Sequence, residues 1–280
     1  MNIKTKKKVN KTFLYIVQIC TAILFVLPLV WMIVSSLKPE VDIFKDMNSL
    51  ATLMLNNPTL DNYKEMLSRS GIVASMLNST FYICMILIIG IPVNALAGYS
   101  LAKLNFPGKG IVVSLIIALY IVPFETVLLP LYLVSNGLGI TNSFLALILP
   151  FVGNCFNIFL FRQFFMSMPK DLEEAASIDG CGPLKTFIKI VIPNSKPVLA
   201  TATVLTVTTH WSDFMWPLIA ITSKEHRTVQ LAIQGFFTEP PVRYGPIMAA
   251  LVFTTIPIII LFLLLQKYYV EGITSSGIKG

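Results

Sequence analysis

The sequence predicts an all-α integral membrane protein with six transmembrane helices and a polar cytoplasmic loop between spans four and five. Three observations predict it. Apolar residues make up 55% of the chain and charged residues only 12%, with a mean hydropathy of +0.76, which is more apolar surface than a soluble domain of this length keeps from water. Stretches long enough to cross about 30 Å of hydrocarbon, at about 1.5 Å per residue, recur near 13–36, 72–101, 111–134, 142–164, 198–221 and 246–268. With the amino terminus inside, 14 of the 21 lysines and arginines fall on the inner side and 7 on the outer. That bias puts both termini in the cytoplasm of a multi-pass protein of the cell membrane.

The first span follows a basic start, Lys4 to Lys11, as a secretory signal would. Its apolar run is long, contains Pro28 and Trp31, and leaves through Ser35-Ser36-Leu37-Lys38 without a small-x-small cleavage pattern, so it reads as a retained anchor. Residues 37–71 form an outer loop carrying Asp42, Asp46, Asp61 and Glu65, for which a solvated loop is the default expectation. The tail, first span and outer loop make one region, 1–71, and residues 72–280 a transmembrane domain that includes the polar loop 162–197. Pro28, Pro92, Pro123, Pro130, Pro150 and Pro257 predict kinked spans, and Gly98-x-x-x-Ala102 offers a small-residue packing face.

The polar loop carries the most information. Pro169 suits a first helical turn, where a missing N–H costs nothing, and Asp171, Glu173 and Glu174 put negative charge at the positive end of the helix dipole. At 100° per residue Leu172, Ala175, Ala176 and Asp179 share a face, and Gly180 can take the left-handed conformation that ends a helix. Beyond Pro183, the residues Leu184, Phe187, Ile188 and Val191 form an apolar stripe opposite Lys185 and Lys189, so the loop reads as two helical pieces joined at a glycine elbow. A helix lying on the bilayer surface is the plain alternative, but such helices carry a basic polar face and this first piece is acidic.

The order Glu174-Ala175-Ala176, then Gly180, then Ile190 and Ile192-Pro193, resembles the cytoplasmic EAA loop of binding-protein-dependent ABC importer permeases. Asn78-Ser79, Phe161-Arg162-Gln163-Phe164, Trp211-Ser212-Asp213-Phe214-Met215-Trp216-Pro217, Tyr244-Gly245-Pro246 and the ending Gln266 to Gly280 are similar to the six-span subunit of the maltose-type carbohydrate branch. Ile192 stands where Leu is usual, Cys181 where Ala is usual and Ser212 where Asn is common. The resemblance implies a non-catalytic subunit that pairs with a second homologous permease, two cytoplasmic ABC ATPases and an extracytoplasmic solute-binding protein, and that moves a sugar through the bilayer. It also implies that Leu172, Glu174, Ala175, Ala176, Asp179 and Gly180 couple the ATPases to the spans, as a lever stiffened by Leu184, Phe187, Ile188, Pro193 and Pro197. The outer loop resembles a segment that contacts the binding protein.

Ionisable groups inside spans ordinarily face a bundle interior. Counted along straight helices from the inner side, Glu125 and Asp213 both lie roughly 20 Å deep. Trp211, Trp216, Tyr120 and Phe124 are near these carboxylates in sequence, and flat rings beside carboxylates suit a sugar; Glu125, Trp211, Asp213 and Trp216 are the candidates for the translocation path. Glu125 and Asp213 equally suit binding helices together or capping breaks at Pro123 and Pro217; His210, Asn94, Asn154 and Asn157 read as interhelical glue.

No Gly-x-x-x-x-Gly-Lys-Ser/Thr, His-Glu-x-x-His or Gly-x-Ser-x-Gly pattern occurs, so any ATP is expected to be hydrolysed by another chain. Four unpaired cysteines and two histidines predict no disulfide, metal or cofactor, and the basic residues do not interleave with aromatics as a nucleic-acid surface would. Two rival functions stay open: an importer permease for a polyamine or organic phosphate, and an ion-coupled secondary transporter, although the paired interrupted repeats of the latter are not found.

Overall fold

The computed structural model describes residues 3–45, 49–69 and 71–277, with side chains described for 11–45, 49, 51–69 and 71–267. The basic side chains before Lys11, Asp46, and the branch-like ending from Tyr268 to Gly280 lie outside the described side chains. Every regular element among the described residues is helical. Among the described residues four helices are long and apolar enough to cross a membrane, or up to six if each of two bent pairs counts as one span. The chain divides into two units, Met1–Ile72 with Ala232–Ile256, and Val73–Leu231 with Pro257–Gly280.

In the first unit, α1 (Ile3–Ser36) leaves its apolar stretch exposed along its length, as an unpartnered span would. The expected solvated loop after it is instead folded. It holds α2 (Glu40–Ile43), a 3₁₀ turn at Leu50–Leu53 and α3 (Asp61–Arg69). Lys38 is buried and donates to the Thr52 carbonyl at 2.7 Å, while the Asn62 amide donates to the carbonyls of Ser36 at 2.9 Å and Lys38 at 2.7 Å. Glu40 accepts from the backbone N–H groups of Tyr244 at 2.8 Å and Gly245 at 2.7 Å. These are the orphan donors of α14 (Tyr244–Gly277), and a distant carboxylate caps them where the helix dipole favours negative charge. Arg243 pairs with Glu65 beside this cap. Gly245 is required there by space, because a Cβ on it would lie 2.2 Å from Asn62 Oδ1.

In the second unit, α4 (Ile72–Lys103) packs against α8 (Cys155–Ser167) so closely that a Cβ on Gly98 would come within 2.6 Å of Phe161 Cβ and 2.9 Å of the Arg162 nitrogen. The small-residue face at Gly98 therefore does serve a backbone approach. The crossing expected over 111–134, with a kink at Pro123, turns a full corner instead. α5 (Lys109–Ile121) and α6 (Phe124–Gly137) meet at 102°. The cause is local: Val122 precedes Pro123 and is extended at φ −67° and ψ 122°, as the residue before a proline must be, and Pro123 has no N–H to continue the ladder. Depth cannot be accumulated through this corner at the helical rise, so the estimate of Glu125's height from a straight span does not hold.

The fourth stretch runs as α7 (Phe144–Ile148), a 3₁₀ turn at Leu149–Phe151 containing Pro150, and α8. The fifth ends earlier than 221: α11 (Lys196–Trp211) stops at Trp211, and α12 (Met215–Ala220) follows after Ser212–Phe214. α9 (Asp171–Ile178) and α10 (Pro183–Thr186) lie between α8 and α11, and α13 (Val229–Thr238) precedes α14.

Candidate functional site

The loop expected to be functional forms two helical pieces at a glycine elbow. The backbone N–H groups of Glu173 and Glu174 both return to the Lys170 carbonyl, and Asp171, Glu173 and Glu174 occupy the first turn of α9. At the other end Cys181 N–H reaches the Ala176 carbonyl at 2.9 Å and Gly180 N–H the Ser177 carbonyl at 3.0 Å, with Gly180 at φ +71°. This is a Schellman stop, which places a left-handed residue after the helix. A Cβ on Gly180 would meet nothing within 4 Å, so the backbone angle alone demands glycine.

Of the shared face, only Ala176 is buried; Leu172, Ala175 and Asp179 are exposed, as are Glu174 and Gly180. Ile178 is 87% exposed. Leu184 and Ile188 are also exposed, beside an open apolar hollow formed with Pro183 and the stems of Lys185 and Lys189. They do not pack the root of the loop, contrary to the expected stiffening role. The apolar stripe faces two ways, Leu184 and Ile188 outward and Phe187 and Val191 inward, and its second part widens into a π turn over Phe187–Val191, closed by Ile192 N–H on the Phe187 carbonyl.

The root is made by Phe187 and Val191. They join Ala95 and Tyr99 of α4, Phe161 and Phe165 of α8, and Val198 and Ala202 of α11 in one buried core. Phe187 lies 5.1 Å from the Tyr99 ring and edge-on to Phe165 at 6.3 Å, contacts worth about 0.5–1.5 kcal/mol each beyond the buried area. Pro193 cannot extend the helix, and side chains take carbonyls left at this break: Asn194 Nδ2 donates to Ile190 and Ser195 Oγ to Val191. A second tether is ionic. Lys103 Nζ, at the end of α4, lies 2.6 Å from Glu173 and 3.3 Å from the Met168 carbonyl, with the lysine side chain 9% exposed.

A cavity of about 350 Å³ lies between α4, α5, α8 and α11. Asn94 donates to the Val152 carbonyl at 3.1 Å and accepts from Asn154 N–H at 2.9 Å. Asn154 in turn accepts from Asn157 N–H at 2.9 Å and so caps α8, and Asn157 Nδ2 donates to Thr206 at 3.1 Å. The asparagines do bind the helices together, and they also line the cavity with Thr206, Thr209 and His210. Sequence reasoning missed the second half because the four elements come together only in the fold.

None of Glu125, Trp211, Asp213 and Trp216 lines this cavity. Glu125 is exposed in the first turn of α6, past the corner. Trp211 is buried, and Trp216 is fully buried with its indole N–H on the Ala146 carbonyl at 2.9 Å. Asp213 is half-buried, and its carboxylate accepts from Trp216 N–H at 3.3 Å, capping α12. Trp216 touches the cavity only through Phe151, edge-on at 6.4 Å. Among the described residues no cluster of histidine, cysteine or acidic side chains could hold a metal ion.

Residues 90–275, which carry the loop and all of the cavity lining but Ile86, match the family described as binding-protein-dependent transport system inner membrane component. The chain belongs to that family. It is similar over nearly its whole length to proteins named as transport permeases. It is 34% identical over 270 residues to the probable ABC transporter permease protein YurM of Bacillus subtilis, covering 96% of this chain and 86% of that one. It is 31% identical over 283 residues to the trehalose/maltose transport system permease protein MalG of Thermococcus litoralis, covering 98% and 99%. Its fold is that of a chain in a bacterial ABC transporter involved in the import of the acidic polysaccharide alginate, with a TM-score of 0.82 at 21% identity over 94% of this chain and 98% of that one. This inner membrane component is thus an apolar helical transport subunit, and α9 to α11 fall inside the matched stretch.

Proposed function

We propose that the chain is the six-span permease subunit of an ATP-driven importer, which moves a sugar or oligosaccharide from an extracytoplasmic binding protein into the cytoplasm. In this reading each bent helix pair counts as one span, both termini are cytoplasmic, and the subunit works with a second permease and two ATPases that hydrolyse ATP in its place. Relatives that carry arabinooligosaccharides, trehalose/maltose and lactose in their names support the carbohydrate assignment. The observation that carries the coupling role is the form of the loop: an acidic, solvent-facing α9 mounted through a glycine elbow on the core of Phe187 and Val191.

Leu172, Glu174, Ala175, Ala176, Asp179 and Gly180 form the docking element. Exposed Leu172, Ile178, Leu184 and Ile188 give an ATPase an apolar surface to bury, and the charge of Glu174 sets its register. Ala176 keeps α9 close to its own subunit. Motion imposed on α9 reaches the spans as a rigid displacement because Glu173 is tied to Lys103 and Phe187 is packed on α4, α8 and α11. Along the path, Glu125 and Asp213 are the carboxylates with accessible surface, and Trp211 and Trp216 are the packing that holds the α11–α12 break.

The test is affinity purification from native membranes in mild detergent, then reconstitution. A P-loop ATPase and a second permease are expected at stoichiometric levels. Glu174→Lys and Gly180→Pro, the latter forbidden by φ +71°, should abolish substrate-stimulated ATP hydrolysis and uptake while membrane insertion is kept. Recovery of the chain alone, moving solute without ATP, overturns the reading.

A further inference from the structure

We propose that this subunit itself holds a subsite for one or two neutral sugar rings, in the cavity between α4, α5, α8 and α11. The proposal rests on the carbohydrate reading above and adds to it where the cargo touches this chain. At about 350 Å³ the cavity sits near the lower end of the roughly 300–1,000 Å³ typical of small-molecule sites.

Its chemistry is selective. The lining includes no lysine, arginine, aspartate or glutamate, so neither a phosphate nor a polyamine would find a counter-charge. A sugar presents apolar C–H faces and a rim of hydroxyls that both donate and accept. The rings of Tyr120 and Phe156, 5.2 Å apart, and Phe151 with His210, 4.7 Å apart, supply flat walls. Asn154 and Thr209 supply groups that donate and accept.

Binding helices together explains Asn94, Asn157 and Thr206, each fixed by hydrogen bonds within the fold. It does not explain Thr209, which is exposed on the last turns of α11, or the Tyr120 ring, which is 57% exposed. The hydrogen-bonded asparagines hold the polar wall in place before any solute arrives, so little ordering is left for binding to supply.

The experiment uses the whole complex in proteoliposomes with its binding protein, supplied in turn with radiolabelled trehalose, maltose and arabinotriose. In a background where Cys20, Cys84, Cys155 and Cys181 are serine, Thr209→Cys is treated with a small water-soluble maleimide under turnover, with and without the transported sugar. Asn105→Cys, exposed in the connection between α4 and α5 and away from both the cavity and the docking loop, is the control in the same background. Sugar should slow labelling at position 209 at least fivefold and leave position 105 unchanged, and Tyr120→Ala should abolish the protection and cut uptake about five- to tenfold. Uptake of a sugar by the unaltered complex with no protection at 209, or no labelling there in either condition, overturns the subsite and leaves the carbohydrate reading standing. Uptake of none of the three sugars overturns both.

Discussion

The loop over 169–197 is mounted on three of the helices that also line the cavity, α4, α8 and α11, but the two regions are built in opposite senses. The loop turns large apolar side chains outward, with Ile178 87% and Leu184 62% exposed, and keeps its strength at the base, where Phe187 and Val191 are buried. The cavity turns polar side chains inward and fixes them through one another, from Asn94 to Asn154 to Asn157 to Thr206. The first arrangement has apolar area to bury on a partner and a stiff mount behind it. The second has polarity to offer a solute and no free charge. In the proposed reading one subunit keeps a surface that receives force apart from a surface that meets cargo on the same three helices; on α8, Asn157 lines the cavity while Phe161 and Phe165 pack the mount.

The largest expected effect comes from removing the mount. Phe187→Ala deletes a buried ring that touches Tyr99 and Phe165, a change that costs about 3–5 kcal/mol in well-packed cores. Uptake and stimulated ATP hydrolysis should both collapse. The comparison is sharpened by what survives: the asparagine chain does not involve Phe187, so sugar protection at position 209 should persist in whatever complex assembles. Loss of both together, in a variant still inserted at normal levels, would show that the two regions are one unit.

The loop was legible because its determinants are local. Pro169, three acids within one turn, Gly180 and Pro183 each act on their own few residues, and helix start, left-handed elbow and restart follow from them. Whether Leu184 and Ile188 face in or out was not local: it depended on which part of the stripe packs on α4, α8 and α11, and a 3.6-residue period cannot register that. The break at Val122–Pro123 had a local cause, but a proline inside a span is compatible with a mild kink, and the 102° corner is set by tertiary packing. The cavity was illegible for a third reason. Asn94, Asn154 and Thr209 are scattered over more than a hundred positions, and each alone is indistinguishable from interhelical glue; Tyr120 stood out only as a ring near Glu125, a residue the cavity does not include. The Glu40 cap of α14 was hidden likewise, since its donors are backbone N–H groups about two hundred residues away.

A smaller effect isolates the second tether. Lys103 and Glu173 meet at 2.6 Å with the lysine largely buried, so Lys103→Met leaves a partly buried carboxylate without its partner, at a cost of about 1–3 kcal/mol. Because Glu173 is a quarter exposed, water recovers part of that, and the lower end is expected. Coupling should weaken: uptake per ATP falls several-fold while basal hydrolysis is kept. A double-mutant cycle with Glu173→Gln checks the cause, because the pair should be no worse than either single change, whereas additive losses would assign the effect to packing.

The smallest effect on stability falls on Ile178, the most exposed large apolar residue among those whose side chains are described. Ile178→Ser removes no buried contact within this chain and should leave its thermal stability within about 0.5 kcal/mol of the unaltered protein. In the assembled complex the same change should weaken ATPase retention during detergent purification, because a methyl-rich side chain that is free here becomes buried there. The two readouts have to part company for the division between loop and cavity to hold. Equal ATPase retention in Ile178→Ser and the unaltered subunit would remove Ile178 from the docking surface and leave Glu174 and Gly180 to carry it. A fall in stability instead would mean that Ile178 packs against this chain in the membrane, and that the outward face of α9 is narrower than its exposure suggests.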